Sequence, residues 1–221
     1  MSDLLAPTVA ITVANVTTPK PPSDGPGTYR FLAGAALFVV EQAAAADLRY
    51  RLAVCTVPAG TSEAVLADWL PRYLPSDRLV IGWQLADTIV PALFEAADAA
   101  SPAAAVDLID LLSKAITMDS EDLAERHGGM AAPAFREVCA QAGIPAWEMS
   151  EEETLGAWSI GRKVELVGML ATNAVAAWRL WADHEQPANP MPHRFAADAI
   201  RDWRGDTTDA LRWQDGEISH A

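Results

Sequence analysis

Residues Trp158–Leu180 read WSIGRKVELVGMLATNAVAAWRL. A helix beginning near Arg162 carries Leu166, Met169, Leu170, Val175, Ala176 and Leu180 inward, which is roughly the 3.6-residue spacing of a buried helical stripe. The pattern predicts one long helix over 162–184. Just upstream, Ser150 and Glu153 form an S-x-x-E capping box that predicts another helix start. Further back, Pro133 opens PAFREVCAQAG, and Gly143 with Pro145 behind it closes that segment. Ser120–His127 reads as one further short helix.

The N-terminal half has a different rhythm. Thr8–Val16 is rich in Val, Ile and Thr; Tyr29–Val40 follows a Pro- and Gly-rich loop at 19–27; Tyr50–Val57 alternates and ends at Pro58-Ala59-Gly60. These predict three strands in an antiparallel meander. Thr61 or Ser62 then caps the helix SEAVLADWLPRYL, with Glu63 in its first turn and Pro71 bending it late. Arg78–Trp83, RLVIGW, reads as a short buried parallel strand. Ala86–Ala100 is helical, and the segment from Pro102 is a helix or hides a strand at Val106–Ile109. The order predicts an α/β fold: a mixed sheet, antiparallel and then parallel, helices on both faces, and a helical C-terminal half. Residues 1–184 form the domain. Residues 185–221 are a Pro-rich linker and a terminal helix, His193–Trp213, packing on it.

At 221 residues, 51% of them hydrophobic, the chain can bury a sizeable single core. The net charge of −14 argues against a broad nucleic-acid footprint, which needs a basic face. The nearest thing to a basic strip, Arg194, Arg201, Arg204 and Arg212, is diluted by Asp198, Asp202, Asp206 and Asp209. Cys55 and Cys139 sit in apolar contexts outside any CxxC and read as buried thiols. The first residues lack a basic n-region, and no apolar run reaches about 18 residues. A cytoplasmic protein without a membrane segment is expected.

The Gly161, Arg162, Glu165, Met169 and Asn173 pattern resembles the last motif of the DEDD proofreading-type 3′–5′ exonucleases, in the ribonuclease H-like superfamily. The resemblance covers about residues 8–184. It implies a ribonuclease H-like fold and a metal-dependent nuclease ancestry. In that family a Gly-Arg-x-x-Glu turn leads to a Tyr or His and, four residues on, an Asp. Here the first falls on Met169 and the second on Asn173. Such enzymes hold Mg²⁺ or Mn²⁺ between carboxylates and use two metals to activate water and stabilise the leaving oxygen. An amide carbonyl carries no net charge, and a Met cannot act as a general base. Alternatively, Asn173 is a helix residue facing solvent or capping a neighbour.

The other family positions are also altered. The first strand should bear Asp-x-Glu, but VAITVANVTTP contains no acid. Whether the pair falls on Ala14 and Val16 or on Asn15 and Thr17, both ligands are gone. The second motif fits Asp87, as a surviving metal and catalytic position or as the N-cap of the helix that follows. Asp107 and Asp110 stand at i, i+3 and could bind one cation, or be solvated. Glu151, Glu152 and Glu153 suit the first turn of a helix. Trp178, Trp181, Trp203 and Trp213 offer base-stacking platforms or pack the terminal helix onto the long one. No two histidines have metal-ligand spacing.

The resemblance with these losses implies a catalytically inactive exonuclease-like domain, kept for binding. The acidic composition favours a protein partner or self-association over single-stranded nucleic acid, and no cofactor is expected. Alternatively, Asp107, Asp110, Asp119 and Glu151–Glu153 rebuild a Mg²⁺ or Mn²⁺ site and give a divergent 3′–5′ exonuclease. A third reading is a structural or assembly module of other topology.

Overall fold

A computed structural model describes residues 7–20, 23, 25–44, 47–74, 78–98, 102, 105–106, 120–185 and 218–220. Its frame is set by the first strand, β1 (Thr8–Pro19), which lies inside a mixed sheet. β2 (Thr28–Ala44) pairs antiparallel with β1, and β3 (Asp47–Thr56) antiparallel with β2. On the other side β4 (Leu79–Gly82) runs parallel to β1, and β5 (Ser120–Asp122) parallel to β4. The short strand β6 (Ile218–His220) adds antiparallel to β3, giving the order β5-β4-β1-β2-β3-β6.

Between β3 and β4 lies α1 (Ala64–Tyr73), which accommodates Pro71 inside it. After β4 a π-helical turn, Leu85–Ile89, leads into α2 (Val90–Asp98). The C-terminal helices are α3 (Phe135–Gln141), α4 (Glu151–Ser159) and the 23-residue α5 (Lys163–Glu185). The architecture is therefore α/β, with a mixed antiparallel and parallel sheet flanked by helices. Among the described residues, no helix is long and apolar enough to cross a membrane.

The period of two along β1 divides the interior. Val9 and Ile11 join Leu32, Leu37, Leu66, Leu70 and Leu93 on the α1–α2 side. Ala10, Ala14 and Val16 join Phe38, Leu166, Leu170 and Trp178 on the α5 side. Burying α5 against four strands explains why its apolar stripe is so wide.

One expectation changes here. Ser120–His127 is not one helix: Ser120–Asp122 is the fifth strand, and Glu125–His127 forms a single 3-10 turn. Pairing with the open edge of β4 overrides the local helical pattern. Asp122 secures the end of β5, since its carboxylate accepts the amides of Ala86 and Ala124, each at 3.0 Å. The alternative fifth strand at Val106–Ile109 falls largely outside the described residues. So does the terminal helix at His193–Trp213.

A bulge interrupts β1–β2 where Ala14 faces Gly34 but Asn15 faces Leu32. The intervening Ala33 turns its carbonyl to the Val57 amide at 2.9 Å. The Leu32 amide, freed from the ladder, donates to the Glu63 carboxylate at the start of α1. Burial pushes the Glu63 carboxyl above its ordinary range, and that amide partly offsets the push.

Gly34 is required by close approach. A Cβ there would lie 2.7 Å from the Cys55 carbonyl oxygen and 3.0 Å from Leu170 Cδ1. Gly34→Ala is expected to cost about 1–3 kcal/mol, read as a lower urea midpoint. An unchanged midpoint would mean that β3 and α5 are free to retreat.

Candidate functional site

The positions that the exonuclease resemblance singles out lie on three elements. β1 supplies Ala14 and Val16, the turn after β4 supplies Asp87, and α5 supplies Met169 and Asn173. The pleat of β1 decides which of the two candidate pairs faces α5. Ala14 and Val16 point that way and are buried at 3% and 0% exposure. Asn15 and Thr17 alternate to the other face. Met169 is buried in the same cluster, with Leu166, Leu170 and Ala174. Where a two-metal nuclease needs charged oxygens and water, this chain has packed hydrocarbon.

Asn173 has a specific occupation. Its Oδ1 accepts the Trp147 amide at 2.9 Å, and its Nδ2 donates to the Trp147 carbonyl at 2.8 Å. One side-chain amide thus satisfies both backbone groups of one residue, as a neighbouring strand would. A carboxylate cannot do this, because it only accepts. The Trp147 ring lies over Gly168, where a Cβ would approach Trp147 Cζ3 to 2.9 Å. The missing side chain at Gly168 and the amide at Asn173 together fasten the segment before α4 onto α5.

Asn173→Asp is expected to destabilise the protein by about 1–2 kcal/mol. One carboxylate oxygen would face the Trp147 carbonyl with no proton between them. Acidification should reduce the loss, because a protonated carboxyl can donate. Equal urea midpoints for the two proteins at neutral pH would show that the paired bonds contribute nothing.

Asp87 lies within the π-helical turn and is exposed. It is not the N-cap. That place belongs to Gln84, held at φ 52°, whose side chain makes no cap bond. Such a φ is uncommon for a residue with a Cβ. The hydrogen bond from Thr88 Oγ1 to Gln84 Oε1, at 3.2 Å, closes this turn.

Asp107, Asp110 and Asp119 lie outside the described residues. Glu151, Glu152 and Glu153 occupy the first turn of α4. The expected capping box is present: Ser150 Oγ accepts the Glu153 amide at 3.1 Å, and Glu153 Oε2 accepts the Ser150 amide at 2.8 Å. These bonds hold the Glu153 carboxyl below its ordinary range. A depressed carboxyl contributes stability above that range and loses it on acidification, so the box belongs to neutral pH. Glu121 accepts Trp181 Nε1 at 2.9 Å and pairs with Arg126. Among the described residues, no three His, Cys, Asp or Glu side chains are grouped to hold a metal ion.

The tryptophans of α5 are structural. Trp178 is buried and donates to Thr8 Oγ1 at 2.7 Å, and Trp181 is bonded to Glu121. Trp203 and Trp213 lie outside the described residues. Cys139 is buried, its thiol pushed up to about 12 by burial, whereas Cys55 is half-buried. His127 is exposed beside Trp83, with ring centres 5.6 Å apart. Three residues that matter here were not singled out from the sequence as site residues: Trp147, Glu63 and Asp122. Each acts through a contact made only in three dimensions, and of the three only Glu63, read as a first-turn acid, carried a local signal.

The chain matches no known family model, no curated protein and no solved structure.

Proposed function

We propose that this chain is an exonuclease-like domain of the ribonuclease H-like type that has lost catalysis and serves to bind a protein partner. The strand order β5-β4-β1-β2-β3, with β1 antiparallel to β2 and parallel to β4, supports the ribonuclease H-like part of this reading. The observation that carries the loss of catalysis is the burial of Ala14 and Val16 beneath α5, in the places of the family's Asp-x-Glu pair. Asn173 adds to it, since its amide is committed to the Trp147 backbone. Two-metal chemistry needs ligands that stay charged and reachable by water. Asp87 alone does not supply a second or third ligand. The net charge of −14 favours a protein partner over a polyanion.

The test is a nuclease assay on labelled single- and double-stranded DNA and RNA with Mg²⁺ or Mn²⁺, beside Asp87→Ala. No cleavage by either protein is expected. Metal-dependent cleavage that disappears in Asp87→Ala would overturn the proposal and reveal replacement ligands among the acids.

A further inference from the structure

One edge of the sheet is extended by Ile218–His220, a segment far downstream in the chain. β2 pairs with every residue of β3, whereas on the other side β6 covers only residues 50–52. Ile218 stands across from Leu52, Ser219 from Arg51 and His220 from Tyr50. Among the described residues no other strand pairs with that side of β3. A strand edge presents a row of backbone N–H and C=O groups, and proteins usually guard such rows with charge, Pro or a bulge. Residues 53–56, which β6 leaves uncovered, read AVCT and include neither a charge nor a Pro.

A second feature marks the same edge. Tyr50, where the ladder with β6 stops, is 7% exposed, and its hydroxyl is buried with no hydrogen-bond partner among the described residues. Its ring stacks on Phe38 at 6.0 Å. Buried hydroxyls ordinarily have a partner, so this end of β3 carries an unmet polar group as well as an open ladder.

We propose that the outer edge of β3 is a strand-addition site, held by β6 in the free chain and taken over by an extended segment of a partner protein. The seated strand is the observation that carries this: the edge already accepts a segment, antiparallel and in a defined register. Three residues of ladder make a weak clasp, since each main-chain bond contributes little net. Residues 186–217 tether it, and a tether holds its end at roughly millimolar effective concentration. An incoming strand that also pairs with residues 53–56 makes more main-chain bonds and displaces β6. Leu52 and Val54 pack on the α5 side of the sheet, and Cys55 on the α1 side. Both faces of the open stretch are apolar, which suits an uncharged segment rich in β-branched residues. The inference rests on the reading of the domain as a binder of a protein partner. Cleavage in the nuclease assay would sink that reading and leave strand addition separately measurable.

The test uses the full chain and the full-length double variant Ile218→Pro with Ser219→Pro. Successive N–H groups along a strand point to opposite edges, so one of the two prolines removes the donor facing β3. The probe is a dye-labelled peptide of about eight residues alternating Val and Thr, long enough for most of β3. Its control carries N-methyl groups on two adjacent central amides. Anisotropy should show the double variant binding the peptide roughly tenfold more tightly than the parent, because a site that is open only part of the time binds more weakly in proportion. The control peptide should bind neither protein. Hydrogen exchange of the β3 amides should quicken in the double variant and slow again with peptide, which places the peptide on this edge of a folded sheet. No binding by the double variant, affinity equal to the parent's, or equal binding of the N-methylated control would overturn the proposal. Unaltered exchange in β3 would do so as well. A double variant that dimerises instead of taking up peptide would assign the edge to a second copy and overturn it too.

Discussion

Val16→Glu is expected to remove roughly 3–5 kcal/mol of stability, much of what a domain of this size possesses. The substitution restores the kind of residue the exonuclease pattern has on its first strand, and for that reason it is informative. In an intact two-metal site a glutamate here is paid back by a cation. In this chain Val16 has no exposed surface and packs within the cluster that holds Ala14, Leu166 and Met169. A carboxylate placed there has neither water nor a partner, so its protonated form is favoured and its folded-state pKa is raised. Stability is then retained below the carboxylate range and lost as pH rises through the raised value. Urea melts at acid and neutral pH should show that slope in Val16→Glu and a much smaller one in the parent. Mn²⁺ should leave both midpoints unchanged. A Mn²⁺-dependent rescue of the variant would show that the neighbourhood can still assemble a metal site.

The second large effect is expected at Trp178. Trp178→Ala should cost about 3–5 kcal/mol. The ring is 2% exposed, meets Phe38 edge-on at 6.1 Å and leans on Trp181 at 6.0 Å. Its indole also donates to Thr8 Oγ1, a partner that is itself buried. Trp178→Phe keeps much of the volume and loses mainly that bond, for about 1 kcal/mol. The difference between the two variants in urea separates packing from hydrogen bonding. Equal losses would mean that the bond to Thr8 dominates.

The elements whose signals are local were the legible ones. α5 announced itself through its stripe, and the cap of α4 through Ser150 and Glu153. The first three strands were readable from β-branched residues between Pro- and Gly-rich breaks. β5 was not, because three residues of SED carry no period and become a strand only when β4 offers an edge. The same division holds at the site. The absence of acids on β1 was plain in the sequence, but whether Ala14 and Val16 or Asn15 and Thr17 faced the site depended on pleat and bulge. The amide at Asn173 was visible, and its purpose was not. That purpose lies in a backbone 26 residues away in sequence. Asp87 was correctly placed after β4 and incorrectly read as a cap, because nothing local foretold the left-handed Gln84.

The hydrogen bond between Thr8 and Trp178 spans 170 residues. It joins the first strand of the sheet to a helix made long afterwards. A chain emerging from the ribosome would therefore complete its meander on the order of ten seconds before α5 arrives to cover it. Through that interval Phe38, Leu52 and Ala36 would stand on an open greasy plane. Nascent chains in this condition are natural clients of holding chaperones, and high non-local contact also slows refolding from denaturant. The long helix that closes the interior thus also sets the period during which the newborn protein is most exposed to aggregation.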